Sequence, residues 1–251
     1  MQMLSEDRFQ IILQLLQQKK SVTVPELCKL LQTSESTVRR DLNTLAEMGK
    51  LNKVHGGATA IDQLVFTQEE TVDIKSSKYM KEKNQIAAYA ASIITNEDFI
   101  FLDAGTTTES VIDFLAPNNA VFITNGILHI RKLTQKGFRA YLLGGELKLS
   151  TEAMVGATAV EHLKNYNFTK CFLGANGIHE QYGFTTPDIA EAMIKKEVLG
   201  RSFMRCILAD RSKFNAITSV SFGNLSQACI VTDYLENAHY KDFTVIKEVG
   251  K

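Results

Sequence analysis

The sequence predicts an α/β protein in two parts: a small helical unit closed by a β-hairpin, then a larger open, mainly parallel sheet. Three observations lead there. Apolar residues in the first sixty positions recur at three- and four-residue spacing in three successive stretches. From Ser76 onward, short apolar strands alternate with helical patterns. The chain has 251 residues, 45% of them hydrophobic, enough for two cores at about 100–200 residues per domain. The expected boundaries are 1–58 for the first unit, 59–75 for a linker and 76–251 for the second.

In the first helix, Phe9, Ile12, Leu13 and Leu16 share a face, with Ser5 as expected N-cap. A second, short helix carries Val24, Leu27, Leu30 and Leu31, with Thr23 as N-cap and Pro25 in the first turn, where its missing N–H costs nothing. Gln32-Thr33-Ser34 separates it from a third helix, Glu35 to about Met48, stopped by Gly49. Val38, Leu42 and Leu45 form the buried stripe of that helix. Ser36, Arg40 and Asn43 point almost opposite, with Thr37, Arg39 and Thr44 on the flanks. Those six residues include hydroxyls, an amide and two guanidiniums but no carboxylate.

A short helix, a tight polar turn and a second helix with such a face form a helix-turn-helix. Its second helix enters the major groove, where Arg reads guanine edges. Leu51, Lys53 and Val54 around Gly56-Gly57 then suggest a small hairpin, or wing, carrying Lys50, Lys53 and His55 beside the phosphate backbone. A plain three-helix bundle with solvated arginines has the same composition; the order helix, helix, basic helix, basic wing favours the DNA reader.

Net charge is zero over the chain, with 28 basic and 28 acidic side chains. Residues 1–57 hold eight basic against six acidic groups, an excess too small to decide anything alone. No run approaches the length of a membrane span. The opening MQMLSEDRFQ lacks a basic region followed by an apolar run, so a cytoplasmic location is expected. Four cysteines without Cys-x-x-Cys spacing read as small buried hydrophobes. Five histidines without ligand spacing read as surface or wing residues, and no metal is expected.

In the second part the expected strands are Phe99–Leu102, Ala120–Ile123, Arg139–Leu143, Lys170–Leu173, Met204–Leu208, Ala228–Thr232 and Phe243–Val249. Between most of them lie expected helices: Lys83–Thr95, Thr107–Leu115, Leu128–Lys136, Val155–Tyr166, Ile189–Ser202 and Leu235–Asp242. Ligands of such sheets bind beyond the carboxyl ends of the strands. There the sequence places Asp103-Ala104-Gly105-Thr106-Thr107-Thr108, then Thr124-Asn125-Gly126, Gly144-Gly145 and Gly174-Ala175-Asn176-Gly177. Each alone reads as a turn; four together read as ligand loops. The first combines a glycine, hydroxyls and a helix N-terminus, the parts of a phosphate cradle. It is neither a Gly-x-Gly-x-x-Gly nor a Lys-bearing P-loop, so no nucleotide cofactor is expected.

Val22–Leu27, Thr33–Leu42 and Leu51–Ala58, above all Thr37-Val38-Arg39-Arg40-Asp41-Leu42 and His55-Gly56-Gly57-Ala58, closely resemble the DNA-binding signature of DeoR-type bacterial transcriptional repressors. The resemblance extends through the chain except the linker. It implies a winged helix-turn-helix in which Ser34, Ser36, Thr37, Arg39, Arg40, Asn43, Lys50, Lys53, His55 and Gly56 meet double-stranded operator DNA. It also implies a sensor domain similar in fold to ribose-5-phosphate isomerase and glucosamine-6-phosphate deaminase. Asp103, Gly105, Thr106 and Thr107 look like its phosphate and sugar loop, and Thr124, Asn125, Gly144, Asn176 and Lys195 like its other walls. Asp210 and Lys213 match an Asp-x-Ser-Lys motif of the family.

Gly126 and His179 depart from the common pattern, which has Ser or Asn and Asp there. Thr185-Thr186-Pro187-Asp188 and Leu102–Glu109 are most similar to fructose-operon repressors of Gram-positive bacteria, which implies fructose 1-phosphate as effector. A homo-oligomeric repressor of a sugar-utilisation operon is therefore expected. The alternative is a sugar-phosphate isomerase or deaminase using Asp103, His179 or Glu180. It leaves the N-terminal unit without a purpose.

Overall fold

The first helix, α1 (Ser5–Lys19), starts one residue earlier than its cap signal suggests. The Leu4 carbonyl already accepts the Arg8 N–H, so Leu4 holds the cap position and Ser5 lies inside the helix. Strand β1 (Ser21–Thr23) follows, then α2 (Val24–Leu31), α3 (Glu35–Glu47), β2 (Asn52–Val54) and β3 (Gly57–Thr59). The computed structural model describes residues 4–48, 50–60, 65–66 and 71–250; Gly49, the expected helix stop, lies outside them. The chain divides into units 1–64 and 65–251.

Thr23 and Ser34 cap α2 and α3 as their residue types require, accepting N–H bonds from Glu26 and Thr37, each at 3.3 Å. The wing is a hairpin turned by His55 and Gly56, the latter at φ +83°, a conformation that costs glycine little. Strand β1, absent from the sequence reading, pairs with β3. Gly57 permits the approach, since a Cβ there would fall 2.1 Å from the Val22 carbonyl oxygen. Ile12, Leu16, Leu27, Leu31, Val38, Leu42, Leu45, Leu51 and Ala58 make the core of this unit. Leu30, expected inside, is half exposed.

One buried ion pair ties the unit together. The Arg8 guanidinium donates to both Asp41 oxygens, at 2.6 and 3.0 Å, and thereby locks α1 to α3. The bidentate fork is the strong form of this contact.

In the second unit β4 (Val65–Phe66) and α4 (Val72–Ser77) precede α5 (Met80–Ser92). Part of the expected linker, residues 59–75, thus carries structure: Thr59 closes the wing, and β4 pairs with a later strand of this unit. Residues 61–64 and 67–70 lie outside the described residues. Next come β5 (Phe99–Leu102), α6 (Thr106–Asp113), β6 (Val121–Thr124), α7 (Ile127–Gln135) and β7 (Arg139–Leu142). A hairpin follows, β8 (Glu146–Lys148) with β9 (Ala153–Val155), then α8 (Ala157–Leu163) and β10 (Phe168–Gly174). The remainder holds β11 (Gly177–His179), β12 (Gly183–Thr186), α9 (Ile189–Gly200), β13 (Ser202–Leu208), β14 (Ile217–Thr218), β15 (Val220–Gly223), β16 (Cys229–Thr232) and β17 (Ile246–Glu248).

The seven expected strands form one sheet, ordered β17-β16-β13-β10-β5-β6-β7, every neighbour parallel. Both faces are buried: Phe101 packs into one apolar cluster, Ile100 and Leu102 into the other. The sheet of β11, β12 and β15 is an addition, its strands too short and polar to show a period. The last expected helix, Leu235–Asp242, is a 3-10 turn over Ala238–Asp242. Asn237 takes the His239 N–H and starts the turn late, and fully buried Tyr240 anchors it through bonds to Ile178 O and Asn215 Oδ1. Cys171 and Cys206 are buried as expected, whereas Cys28 and Cys229 are only half-buried. Among the described residues no helix is long and apolar enough to cross a membrane, and no cluster of three His, Cys, Asp or Glu is placed to hold a metal.

Removing Asp41 takes away the fork that joins α1 to α3. Asp41→Ala is expected to destabilise the N-terminal unit by about 2–3 kcal/mol. Hydrogen exchange of the α1 and α3 amides in the full chain measures it; unchanged protection would show that the pair does not hold these helices.

Candidate functional site

Ser34, Ser36, Arg39, Arg40 and Asn43 are exposed, and Thr37 is partly so. At the helix start the Ser34 hydroxyl lies 2.9 Å from that of Ser36 and 3.0 Å from that of Thr37. The two arginines differ. Arg39 donates to Glu35 at 3.2 Å, an exposed pair one turn apart that water weakens. Glu35, the first residue of α3, thus sets a carboxylate beside the six polar residues of that face. Asp41, the next residue of the motif, faces inward to Arg8 and stiffens the helix from behind. Lys50, Lys53, His55 and Gly56 are all exposed, and every residue of β2 is too.

The second unit has its own concavity, at the carboxyl ends of the adjacent strands β13, β10 and β5. It encloses about 770 Å³, its open mouth included. Its walls hold Asp103, Gly105, Thr106, Thr107, Asn176 and Lys195, six of the nine residues expected for an effector. The floor is an ion pair. Lys195 from α9 donates to Asp103 Oδ2, which also accepts the Gly174 N–H at 2.9 Å, while Lys195 reaches the Gly174 carbonyl at 3.1 Å. Both side chains are at most 6% exposed.

Beside it the Thr108 hydroxyl accepts the Gly105 N–H at 3.0 Å and sits 2.6 Å from the Asp103 carbonyl. This fixes the turn that opens α6, leaving the first-turn N–H groups without partners inside the helix. Thr186 engages the Asn176 carbonyl oxygen at 3.2 Å, so the amide nitrogen is the group Asn176 can offer a ligand.

Thr124, Asn125 and Gly144, expected as further walls, do not line this cleft. The β8–β9 hairpin lies across the end of β6 and consumes its polar groups. Met154 donates to the Asn125 backbone carbonyl (2.7 Å), and Ile127 to that of Glu152. The Asn125 side chain accepts the Ala104 N–H at 2.9 Å, and the Thr124 hydroxyl accepts that of Gly126 at 3.0 Å. Gly144 sits against the His162 ring. Of the three, Asn125 braces the turn from behind through its bond to Ala104.

Three lysines the sequence did not single out, and the Asp210–Lys213 motif that it did, complete the cleft. Lys75 and Lys78 come from α4 and its end, and Lys83 from α5. Lys213 is presented by a 3-10 turn that Asp210 caps, accepting from the Ser212 N–H at 3.0 Å. Lys83 is buried and donates to the Lys75 carbonyl oxygen. Burial pushes its ammonium below the usual lysine range, against the pull of Asp210. With Lys195, five lysines thus line one cavity together with Asp103, Glu191 and Asp210. Glu191 is held by Lys148 at 2.9 Å and Thr151 at 2.8 Å. The lysines lie on three separate segments, so no spacing in the sequence announces them.

Two histidines read as surface residues are buried instead. His179 on β11 accepts the Gln181 N–H at 3.1 Å and stacks near Tyr182. His129 on α7 packs under the cradle, 3.3 Å from the Thr108 hydroxyl. Gly126 leaves room for that ring, and burial lowers the His129 pKa to about 4.

A helix-turn-helix with an exposed polar recognition face, followed by a domain with a cationic cleft, defines a ligand-responsive DNA-binding regulator. Residues 8–64 match the DeoR-like helix-turn-helix domain and residues 78–234 the DeoR C terminal sensor domain. The chain belongs to the DeoR family of transcriptional regulators. It is 41% identical to the "Uncharacterized HTH-type transcriptional regulator FruR" of Bacillus subtilis, covering 98% of this chain and 99% of the relative. It is 33% identical to the lactose phosphotransferase system repressor of Streptococcus mutans, over 92% and 93% of the two chains. Its place among regulators makes it a DNA-binding protein and not an isomerase. Among solved structures, ribose 5-phosphate isomerase A from Methanocaldococcus jannaschii aligns over 53% of each chain at 16% identity and TM-score 0.38. The full-length sorbitol operon regulator SorC from Klebsiella pneumoniae aligns over 80% of this chain and 88% of that one at 10% identity and TM-score 0.34.

His129 is neutral in the folded chain down to about pH 4, whereas an unfolded histidine takes its proton near 6.5. Between those values only the unfolded state gains the proton. Stability is therefore expected to fall by about 3 kcal/mol as pH drops from about 6.5 to about 4, then level off. Denaturant titrations across that range should show the slope, and His129→Gln should remove it; an equal slope in the variant would place the titration elsewhere.

Proposed function

We propose that this chain is a cytoplasmic, homo-oligomeric repressor of a sugar-utilisation operon, released from its operator by a phosphorylated sugar. The observation that carries this proposal is the cleft of the second unit, which five lysines line together with the threonine-bearing start of α6. A phosphate dianion suits such a place. Backbone N–H groups and the helix dipole favour negative charge there, and the Thr106 and Thr107 hydroxyls add donors. Asn176, Asp103 and Glu191 supply the mixed donors and acceptors that sugar hydroxyls need. Fructose 1-phosphate is the proposed effector, supported by the likeness to the FruR regulator.

On the other unit, Arg40 and Asn43 are assigned to base edges, and Ser34, Ser36, Thr37, Arg39, Lys50, Lys53, His55 and Gly56 to the backbone and groove walls. Phosphate contacts position the helix while base contacts select the sequence. A dimer sets two such helices about one DNA turn apart. The effector weakens operator binding by as much as its affinity differs between the bound and released states.

Electrophoretic mobility shifts on the promoter of the chain's own locus test both halves. Arg40→Ala is expected to lose about 1–3 kcal/mol of specific binding; wild-type affinity would remove α3 from the groove. Thr107→Ala and Lys83→Met are expected to bind operator normally yet need at least about ten-fold more fructose 1-phosphate for release. Normal release by both would mean that the effector sits elsewhere.

A further inference from the structure

On the face of the central sheet covered by α5, β13 and β16 set Cys206 directly opposite Cys229. Both side chains pack in the same apolar cluster, with their sulfur atoms 3.2 Å apart. A disulfide requires about 2.05 Å between sulfurs and roughly 4.4–6.8 Å between Cα atoms. Neighbouring strands run about 4.7–4.9 Å apart. Bond formation therefore needs the sulfurs to close by roughly 1.2 Å, with the backbone already in range.

The two thiols are not equivalent. Cys206 is fully buried, whereas Cys229 is half-buried. Both lie in the wall of an open groove of about 930 Å³, bordered by Tyr89, Ile93, Phe203 and Val245. Arg205 and Lys247 also line it, and no carboxylate does among the described residues. The two sulfurs share a hydrogen bond, and Cys229 Sγ also donates to the Arg205 carbonyl oxygen at 3.2 Å. The shared bond and burial push the Cys206 thiol above its usual range, leaving Cys229 the thiol that ionises first. A partly exposed sulfur that ionises first and touches a second thiol, in a groove lined by Arg205 and Lys247, has the features of a reactive pair.

We propose that Cys206 and Cys229 form a dithiol site for hydroperoxides, with Cys229 as the attacking sulfur and Cys206 as the resolving one. In the first step the Cys229 thiolate attacks the peroxide oxygen. The O–O bond breaks, and hydroxide leaves to take a proton as water, giving Cys229 sulfenic acid. In the second step the Cys206 sulfur displaces that hydroxyl. The S–S bond forms, the S–O bond breaks, and a second water departs with the Cys206 proton. Two thiols are oxidised and one hydroperoxide is reduced.

Treating the full chain with a small excess of hydrogen peroxide, then denaturing and alkylating it for peptide mass mapping, tests the site. The expected result is loss of two of the four thiols, a Cys206–Cys229 linked peptide, and recovery with dithiothreitol. Cys229→Ser is expected to keep operator binding, showing that it folds, and to lose the link. In Cys206→Ser, dimedone is expected to label Cys229 at least about ten-fold more than buried Cys171. The proposal is overturned if all four thiols survive peroxide, if oxidation starts at Cys28, or if Cys229 stays unlabelled in Cys206→Ser.

Discussion

The buried ion pair between Asp103 and Lys195 is the constraint around which the second unit is arranged. Two charges taken out of water cost several kcal/mol unless each finds further partners. Here the Gly174 N–H and carbonyl supply them, one to each charge. The same contacts tie the end of β5 to the end of β10 and to α9. Once those ends are fixed, the turn from Asp103 to Thr108 has little freedom, and Thr108 closes it by bonding both ends. The cradle at α6 thus inherits its geometry from a salt bridge beneath it.

The N-terminal unit uses the same device on a smaller scale. Arg8 and Asp41 join α1 to α3 through a fork, and Asp41 sits beside Arg40, its immediate neighbour in the chain. One residue of the motif is therefore spent inward on rigidity while the one before it is exposed. A recognition helix gains from this, since contacts to base edges depend on fixed side-chain origins. The wing depends on a different economy: Gly57 lets β1 and β3 meet where any side chain would strike the Val22 carbonyl oxygen.

Charge in this protein is a local quantity. The whole chain is neutral, yet Lys75, Lys78, Lys83, Lys195 and Lys213 converge on one cavity. Burial pushes the Lys83 ammonium below the usual lysine range although it donates to the Lys75 carbonyl oxygen. An incoming anion would relieve that cost, so the cavity favours negative ligands more than its net composition suggests. Carboxylates are present as well, but Asp103, Glu191 and Asp210 are each engaged by protein donors.

Much was legible from the residues alone. Period and capping chemistry are local, so Thr23, Ser34, the α3 stripe and the seven parallel strands could all be read before any coordinates. The motif around Arg39, Arg40 and His55 carried the family, and the Gly-Thr-Thr turn carried the cradle. Ser5 misled because a cap depends on which carbonyl starts the helix, and the strands β1, β11 and β12 are too short for a period. Tertiary structure alone decided that Asn125 braces the cradle rather than lines it, that Thr124 turns to Gly126, that His129 is buried beneath the cradle, and that lysines from three segments meet. Those outcomes depend on which chain ends the fold brings within a few ångströms, a long-range property that no spacing along one chain encodes.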